Sequence, residues 1–483
     1  MESSRRELTI TGTLQREAWL QRVMPPPEQL AADLWSLPVP IPKSPLRYVS
    51  AYAFGTGEGL VLIDVGWDTE ESWRSLLDGL RFIGAGPADV RGVLVTHMHF
   101  DHIGLAGRLR EASGAWIALH PADRAVLARP DYRSADLAVA REAEFLCGLG
   151  ASPAEAAAAV GPAEAWAKYT SVALPDRTLT DGELADVPGW KLRAVHTPGH
   201  TPGHLCFVDE RSRRLFSGDH VLPRITPNIS VQRADPVGPL EDYLGSLAKV
   251  RDLDVEEVLP AHEWRFKGLP ERVDAIAAHH ERRLAELLAV IRERPGCAPW
   301  ELAGHLTWSR PWDQYDGQMR IFAVTETAAH VHQLERRGLI ASRGTRTPTY
   351  VAPVRSLPFG RGCQVPAGGQ PEPQDQPSDV GGSGSGAGDQ LQHHQGQRGG
   401  DDGTQEQAAG AAVADPGREL PHRGQRMPRQ ATGLRVIGGD RGQRPGGRLG
   451  GQVRLLHQVG VGLAAAPAGA QLGVGGRGSG VAG

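Results

Sequence analysis

The stretch VLVTHMHFDHIG, Val93 to Gly104, sets three histidines and an aspartate within six residues, directly after a run of apolar β-formers. Such a run, followed at once by polar residues, marks a buried strand and the point where it leaves its sheet. With 18 histidines in 483 residues, four fixed positions of the form H-x-H-x-D-H arise by accident only about once in a thousand chains this long. The cluster therefore asks for a chemical reason. At the mouth of a strand His97 and His99 can reach one side, while Asp101 and His102 turn towards a second point close by. Imidazole and carboxylate donors without thiolate suit Zn²⁺ first, with Fe²⁺ and Mn²⁺ as alternatives. Two points of convergence imply two ions, which one loop cannot enclose.

Outward from this loop, residues 1 to 268 read as alternating strands and helices. RYVSAYAFG and GLVLIDVGW are neighbouring strands, TEESWRSLLDGLRFIG is an amphipathic helix, and IGLAGRLREASG predicts one further helix ending at Gly114. AWIALHP and GWKLRAVHTPG are strands, HLCFVDERSRRLFSGD is a hairpin and VEEVLPAHE a last short strand, which together predict a layered α/β domain. An Ala-rich helical insertion over about 131 to 170 is placed to cap the site or to lie on the surface. The missing ligands are sought at other strand ends. VHTPGHTPGH offers His196, His200 and His204, with two Pro-Gly pairs that force turns rather than a helix; LFSGDHV offers Asp219 and VLPAHEW offers His262.

Residues 269 to 355 are helical and end in a strand pair, with Val324, Ala328, Val331 and Leu334 at helical spacing and Gly338 where a C-cap belongs. Three helices and a hairpin predict a small winged-helix-like module. Glu326, His330, Glu335, Arg336 and Arg337 are read as the exposed side chains of its third helix. They form no basic stripe, so a structural or dimerisation role is preferred to nucleic-acid reading, and a homodimer stays open. From 356 to 483 the chain is rich in Gly, Gln, Arg and Pro, and Lys, Trp and Tyr are absent beyond about residue 361; this composition predicts a disordered tail.

A formal charge of −4, 40 % hydrophobic and 22 % charged residues give no global pull towards nucleic acid or membrane. Cys147, Cys206, Cys297 and Cys363 are scattered without a C-x-x-C pair, and the charged opening MESSRRELTI is not followed by an apolar export segment. A cytoplasmic protein is expected, with no membrane partner.

THMHFDH (Thr96–His102), HTPGHTPGH (His196–His204), SGDH (Ser217–His220) and PAHE (Pro260–Glu263), in that order, resemble the successive motifs of the metallo-β-lactamase-fold hydrolases, above all the glyoxalase II-like branch. LIDVGW, with Asp64, resembles the strand that precedes them. The helical module after residue 268 is similar to the winged-helix extension of the β-lactamase-like protein 2 branch. The resemblance covers about residues 35 to 268 and implies an αβ/βα four-layer sandwich with two Zn²⁺ at one edge. It assigns His97, His99 and His200 to one ion, Asp101, His102 and His262 to the other, and Asp219 to a bridge. His196, His204 and Asp64 are then supports of the ligands, and His220 and Arg265 are packed or solvated side chains that lie beside ligands.

A pair of divalent ions lowers the pKa of a shared water from near 16 to about 7 and polarises a carbonyl or phosphoryl oxygen, with Asp101 as the catalytic group that orients the hydroxide and takes up its proton. No G-x-S-x-G elbow or H-E-x-x-H helix offers a rival mechanism. The expected function is hydrolysis of an acyl bond (thioester, lactone or ester) of a small molecule. The alternative is a metal-dependent endoribonuclease of the β-lactamase-like protein 2 type, and a non-catalytic metal-binding regulator is a third reading. GDHVLPRITPNISV lacks the Gly-Lys-rich stretch that accompanies glutathione thioester binding in the glyoxalase II-like proteins.

Overall fold

The computed structural model describes residues 8–233, 238–344 and 347–352. The stretch for which disorder is predicted, 356–483, lies outside the described residues, as does Cys363. Strand β1 (Thr9–Ile10) and helix α1 (Thr13–Gln21) precede an antiparallel run of β2 (Glu28–Ala31), β3 (Leu34–Pro40), β4 (Tyr48–Thr56) and β5 (Gly59–Ile63). Helix α2 (Glu70–Phe82) crosses to β6 (Val90–Leu94), and the short α3 (Phe100–Ile103) with α4 (Ala106–Ser113) crosses to β7 (Trp116–Leu119), each strand parallel to the last. Helices α5 (Pro121–Leu127), α6 (Ala135–Gly148) and α7 (Pro153–Val160) lead to β8 (Arg177–Thr178), which closes a seven-stranded sheet in the order β2 to β8. The second sheet uses β9 (Leu192–His196), β10 (Leu205–Asp209), β11 (Arg214–Gly218), β12 (Glu257–Pro260) and β13 (Phe266–Lys267), with helix α8 (Pro239–Arg251) crossing between the parallel pair β11 and β12. Its order is β1-β13-β12-β11-β10-β9.

Period-2 alternation explains why the sheets stack. On β4 and β5, Tyr52, Phe54, Val61 and Ile63 face the second sheet and share one cluster with Leu205, Phe207, Phe216 and Leu259. Ala51, Ala53, Leu60 and Leu62 point the other way, onto Leu76 and Leu80 of α2 and Leu109 of α4. The far face of the second sheet is covered by Leu240, Tyr243 and Leu247 of α8 and by α9 (Leu269–Glu293) through Val273 and Ile276. Helix, sheet, sheet and helix thus form four layers, and burying each large central side chain contributes about 1.5–3 kcal/mol.

The helix expected over Ile103 to Gly114 is two pieces. It starts earlier, at Phe100, and breaks after Ile103. Backbone packing is the reason: a Cβ on Gly104 would stand 2.7 Å from Asp68 N and 2.8 Å from Gly66 O. Leu105 N donates to Gly66 O instead of continuing the helical ladder. The segment after Asp64 therefore presses directly on the His97–His102 loop.

The last part of the described chain contains α9, α10 (Pro299–Ala303), α11 (Gly317–Arg336) and the hairpin β14 (Ala341–Arg343) with β15 (Thr349–Val351). One expectation needs correction. Glu326 and His330 are not exposed, because α11 is covered on two sides. Val331 and Leu334 join the cluster under α9. Ile321, Val324 and Ala328 join Leu146, Ala156 and Val160 of the insertion. His330 is buried and its ring lies 3.1 Å from His280, while Glu326 is half-buried. The insertion accordingly packs against the C-terminal helices as well as lying near the site. Among the described residues no helix is long and apolar enough to cross a membrane.

Candidate metal centre

Every candidate ligand stands at or just beyond the end of a strand. His97 and His99 follow β6, and Asp101 and His102 ride on the single turn of α3. His200 sits in the turns after β9, Asp219 just after β11 and His262 just after β12. The first Pro-Gly turn is shaped by contact: Gly199 has φ +130°, and a Cβ there would lie 2.5 Å from Tyr243 Cα, so α8 holds the backbone that delivers His200.

The structure brings all seven candidates together. His97, His99 and His200 form one group able to hold an ion, Asp101, His102 and His262 another, and His97, His102 and Asp219 a third between them. Asp219 reaches both ways, with Oδ2 3.6 Å from His200 Nε2 and Oδ1 3.6 and 3.2 Å from the Nε2 atoms of His102 and His262. Asp101 Oδ2 is 3.4 Å from His262 Nε2.

Three of the rings are oriented from behind. Nδ1 of His200 lies 2.9 Å from the carbonyl oxygen of Asn228, and Nδ1 of His262 lies 2.8 Å from that of Tyr48. A carbonyl can only accept, so both Nδ1 atoms carry a proton, and it is Nε2 of each ring that is left to face the cluster and to give its lone pair to a cation. His102 Nδ1 is 2.8 Å from Asp64 Oδ2, whose carboxylate also accepts from the backbone N–H and hydroxyl of Thr96. Asp64 has φ +54°, a left-handed conformation that Asp tolerates better than most residues.

The inward atoms are left over. His102 Nε2, His200 Nε2, His262 Nε2 and Asp219 Oδ1 are buried, and none makes a well-formed hydrogen bond among the described residues. Four converging orphans of this kind are costly unless something else satisfies them. A divalent cation does, and the donor set of imidazoles and carboxylates fits Zn²⁺, Fe²⁺ or Mn²⁺. Charge points the same way. Burial alone would lower the pKa of His262, yet the carboxylates of Asp219 and Asp101 raise it to about 10. Burial likewise opposes protonation of His102, and Asp64, Asp101 and Asp219 override it. His99, without a dominant acidic neighbour, is pushed down to about 3 by burial and by His200. The carboxylates thus demand positive charge at the centre of the cluster.

The supporting histidines divide. His204 is buried, and its Nε2 accepts from the backbone N–H of Asp219 at 3.2 Å, which fixes that aspartate. His196 faces away, stacked on His120 at 4.0 Å. His220 is buried against Tyr243, and Arg265 is paired with Glu28 and Glu257, so both are packed side chains.

Two residues escaped the reading of the sequence. Asp123, buried on α5, accepts from the backbone N–H groups of Met98 and Gly203 and from the Thr201 hydroxyl, tying the two ligand loops to each other. Burial pushes its carboxyl up to about 6, against the pull of those donors. In the sequence it is an ordinary acid in the first turn of a helix. Asn228 lies in a segment with no regular structure and gave no signal. On the turn that carries Asp101 and His102, the Phe100 ring has its centroid 4.6 Å from that of Tyr169 of the insertion; the Trp67 and Tyr169 centroids are 5.6 Å apart, and Lys168 Nζ lies 4.7 Å from the centre of the Trp67 ring.

The family model described as "Metallo-beta-lactamase superfamily" matches residues 44–262. A metallo-beta-lactamase family protein from Thermus thermophilus superposes with TM-score 0.58 at 28 % identity, covering 67 % of this chain and 100 % of that one. The lactamase-like protein aptB of Emericella nidulans is 28 % identical over 54 % of this chain and 66 % of its own length. The atrochrysone carboxyl ACP thioesterase of Aspergillus fumigatus is 25 % identical over 52 % of this chain and 46 % of its own. The chain thus spans about half to two thirds of the length of these curated relatives.

Proposed function

We propose that this chain, which carries the metallo-β-lactamase superfamily fold, is a metal-dependent hydrolase that cleaves an acyl bond of a small molecule, a thioester before a lactone or ester. The observation that carries the reading is the set of three histidines whose Nδ1 atoms are engaged from behind while their free Nε2 atoms converge around Asp219. His97, His99 and His200 would hold one ion and Asp101, His102 and His262 the other, with Asp219 between them. Bound there, two Zn²⁺ would supply a water acidified to a pKa of about 7 and a Lewis acid for the substrate carbonyl.

The chain's own groups complete the chemistry. Asp101 is more open, with 18 % of its side chain exposed against 10 % for Asp219, so it is the carboxylate that can meet an entering water, orient it and accept its proton. Asp64, Asn228 and Tyr48 hold the imidazoles in one tautomer. Phe100, Trp67 and Tyr169 offer an apolar wall for an acyl group, and Lys168 beside them favours an anionic carrier arm. A thioester joins those two features, and the thioesterase named among the relatives supports that order of preference. The C-terminal helices are read as a winged-helix-like module with a structural role, a reading supported by the burial of α11 on two sides.

A panel of thioesters, lactones, aryl esters and single-stranded RNA, run with and without chelator, tests this. Acyl turnover that chelator abolishes and that barely responds to salt is the expected result. Cleavage of RNA without turnover of any acyl substrate would overturn it in favour of the ribonuclease.

A further inference from the structure

Of the three rings oriented from behind, only His200 leans on a segment that the sandwich does not build. Leu222 to Arg233 has almost no regular structure of its own. Its course is imposed by neighbours. Arg272 of α9 donates to the carbonyls of Leu222 and Ile225 at 2.5 and 2.6 Å. Arg233 pairs with Asp131 and Glu142 of the insertion at 2.8 and 2.7 Å. Helix α11 adds four ties: Thr325 O accepts from Val231 N at 3.2 Å, the Thr325 hydroxyl donates to Ser230 Oγ at 2.9 Å, and Asn228 Nδ2 donates to Glu326 Oε2 at 2.9 Å and, more weakly, to Phe322 O at 3.4 Å. The same Asn228 gives its backbone carbonyl to His200 Nδ1, and Gln232 Nε2 donates to His200 O at 3.1 Å.

We propose that α11 is a positioning element for the metal centre, in which Glu326, acting through Asn228, fixes the carbonyl that receives the Nδ1–H of His200. The carbonyl is backbone and no substitution removes it, so its anchor is what sets ring direction. Without the anchor the loop keeps its other ties, but the acceptor can shift by a fraction of an ångström and His200 Nε2 loses its aim. Asp64 and Tyr48 need no such help, since the sandwich itself holds them. The C-terminal helices thereby become part of the metal site without touching it.

The inference rests on the metal-site reading, and the test separates the two. Zn²⁺ affinity and stoichiometry are measured on the full chain by chelator competition and elemental analysis, together with the melting temperature of the metal-free protein. Glu326→Ala should weaken one equivalent about tenfold, the low end for a support behind a ligand, with little change in melting. Glu326→Gln keeps an oxygen that can accept from Asn228 and should stay within about twofold of the parent. Should Glu326→Ala fail to fold, Asn228→Ala severs the same link from the loop side, together with the weaker ties to Phe322 O and Ser230, and should show a selective loss at least as large. Parent-like affinity in the alanine variant, or a glutamine variant as weak as alanine, would overturn the positioning role alone. A parent protein that binds no Zn²⁺ would overturn the metal site with it.

Discussion

The two halves of the metal centre are assembled from different distances along the chain. His97, His99, Asp101 and His102 lie within one short loop and the helical turn that follows it, and the group that anchors His102, Asp64, directly follows the neighbouring strand β5. His200 depends on Asn228, which depends on Glu326, so one imidazole is held by residues 28 and 126 positions away. The supports named for the first half belong to the sheet itself. The second rests on a loop held between the insertion and the C-terminal helices, which share one core. Proximity in sequence makes the first half cheap to order, whereas the second needs long-range closure whose entropy the packed helices must offset.

Removing a ligand from the local half should have the largest effect. Loss of an orienting partner behind a ligand costs about 10- to 100-fold, so loss of the ligand itself should exceed the upper end of that range. His99→Ala is therefore expected to lower acyl turnover more than about a hundredfold and to remove much of one metal equivalent. Unchanged metal content by elemental analysis would contradict its assignment. Asp64→Ala, next in size, frees the His102 ring and leaves Thr96 N without its acceptor. Zn²⁺ affinity should fall towards the upper end of that range, about 100-fold. Comparison with Glu326→Ala then sharpens the contrast: if the two variants weaken binding equally, the distinction between a local and a remote support is wrong.

What the sequence disclosed follows the same division. Strands β4 to β7 and β9 to β12 were legible because alternation such as Tyr52 and Phe54 against Ala51 and Ala53 is a local pattern, and the H-x-H-x-D-H loop was legible because its donors lie within six residues; β3 (Leu34–Pro40), with two prolines in seven residues, gave no such signal. His200, Asp219 and His262 stood out only as histidines and an acid after strand-like runs, and resemblance supplied their grouping. The break at Gly104 was invisible, since it arises from the backbone of Gly66 and Asp68 pressing in from another segment. Glu326 and His330 were misjudged as exposed because a polar residue on a helix normally marks its wet face, and here a second helical layer covers that face.

Asp123 tests whether the two halves are coupled at all. It touches no ligand, yet its two oxygens take the backbone N–H of Met98 from one loop and the backbone N–H of Gly203 and the Thr201 hydroxyl from the other. Asp123→Ala strands three buried donors, each worth about 1–3 kcal/mol, so a loss of about 3 kcal/mol or more in unfolding free energy is expected by denaturant titration. Asp123→Asn should not restore it fully, because the amide nitrogen would face a donor where the carboxylate offered an acceptor. Below the melting transition the effect on turnover should be the smallest of the series, within about tenfold, since His102, His200 and His262 keep the partners behind them. A turnover loss as deep as that of His99→Ala, at full folding, would mean that the spacing between the loops, rather than the aim of each ring, governs the chemistry.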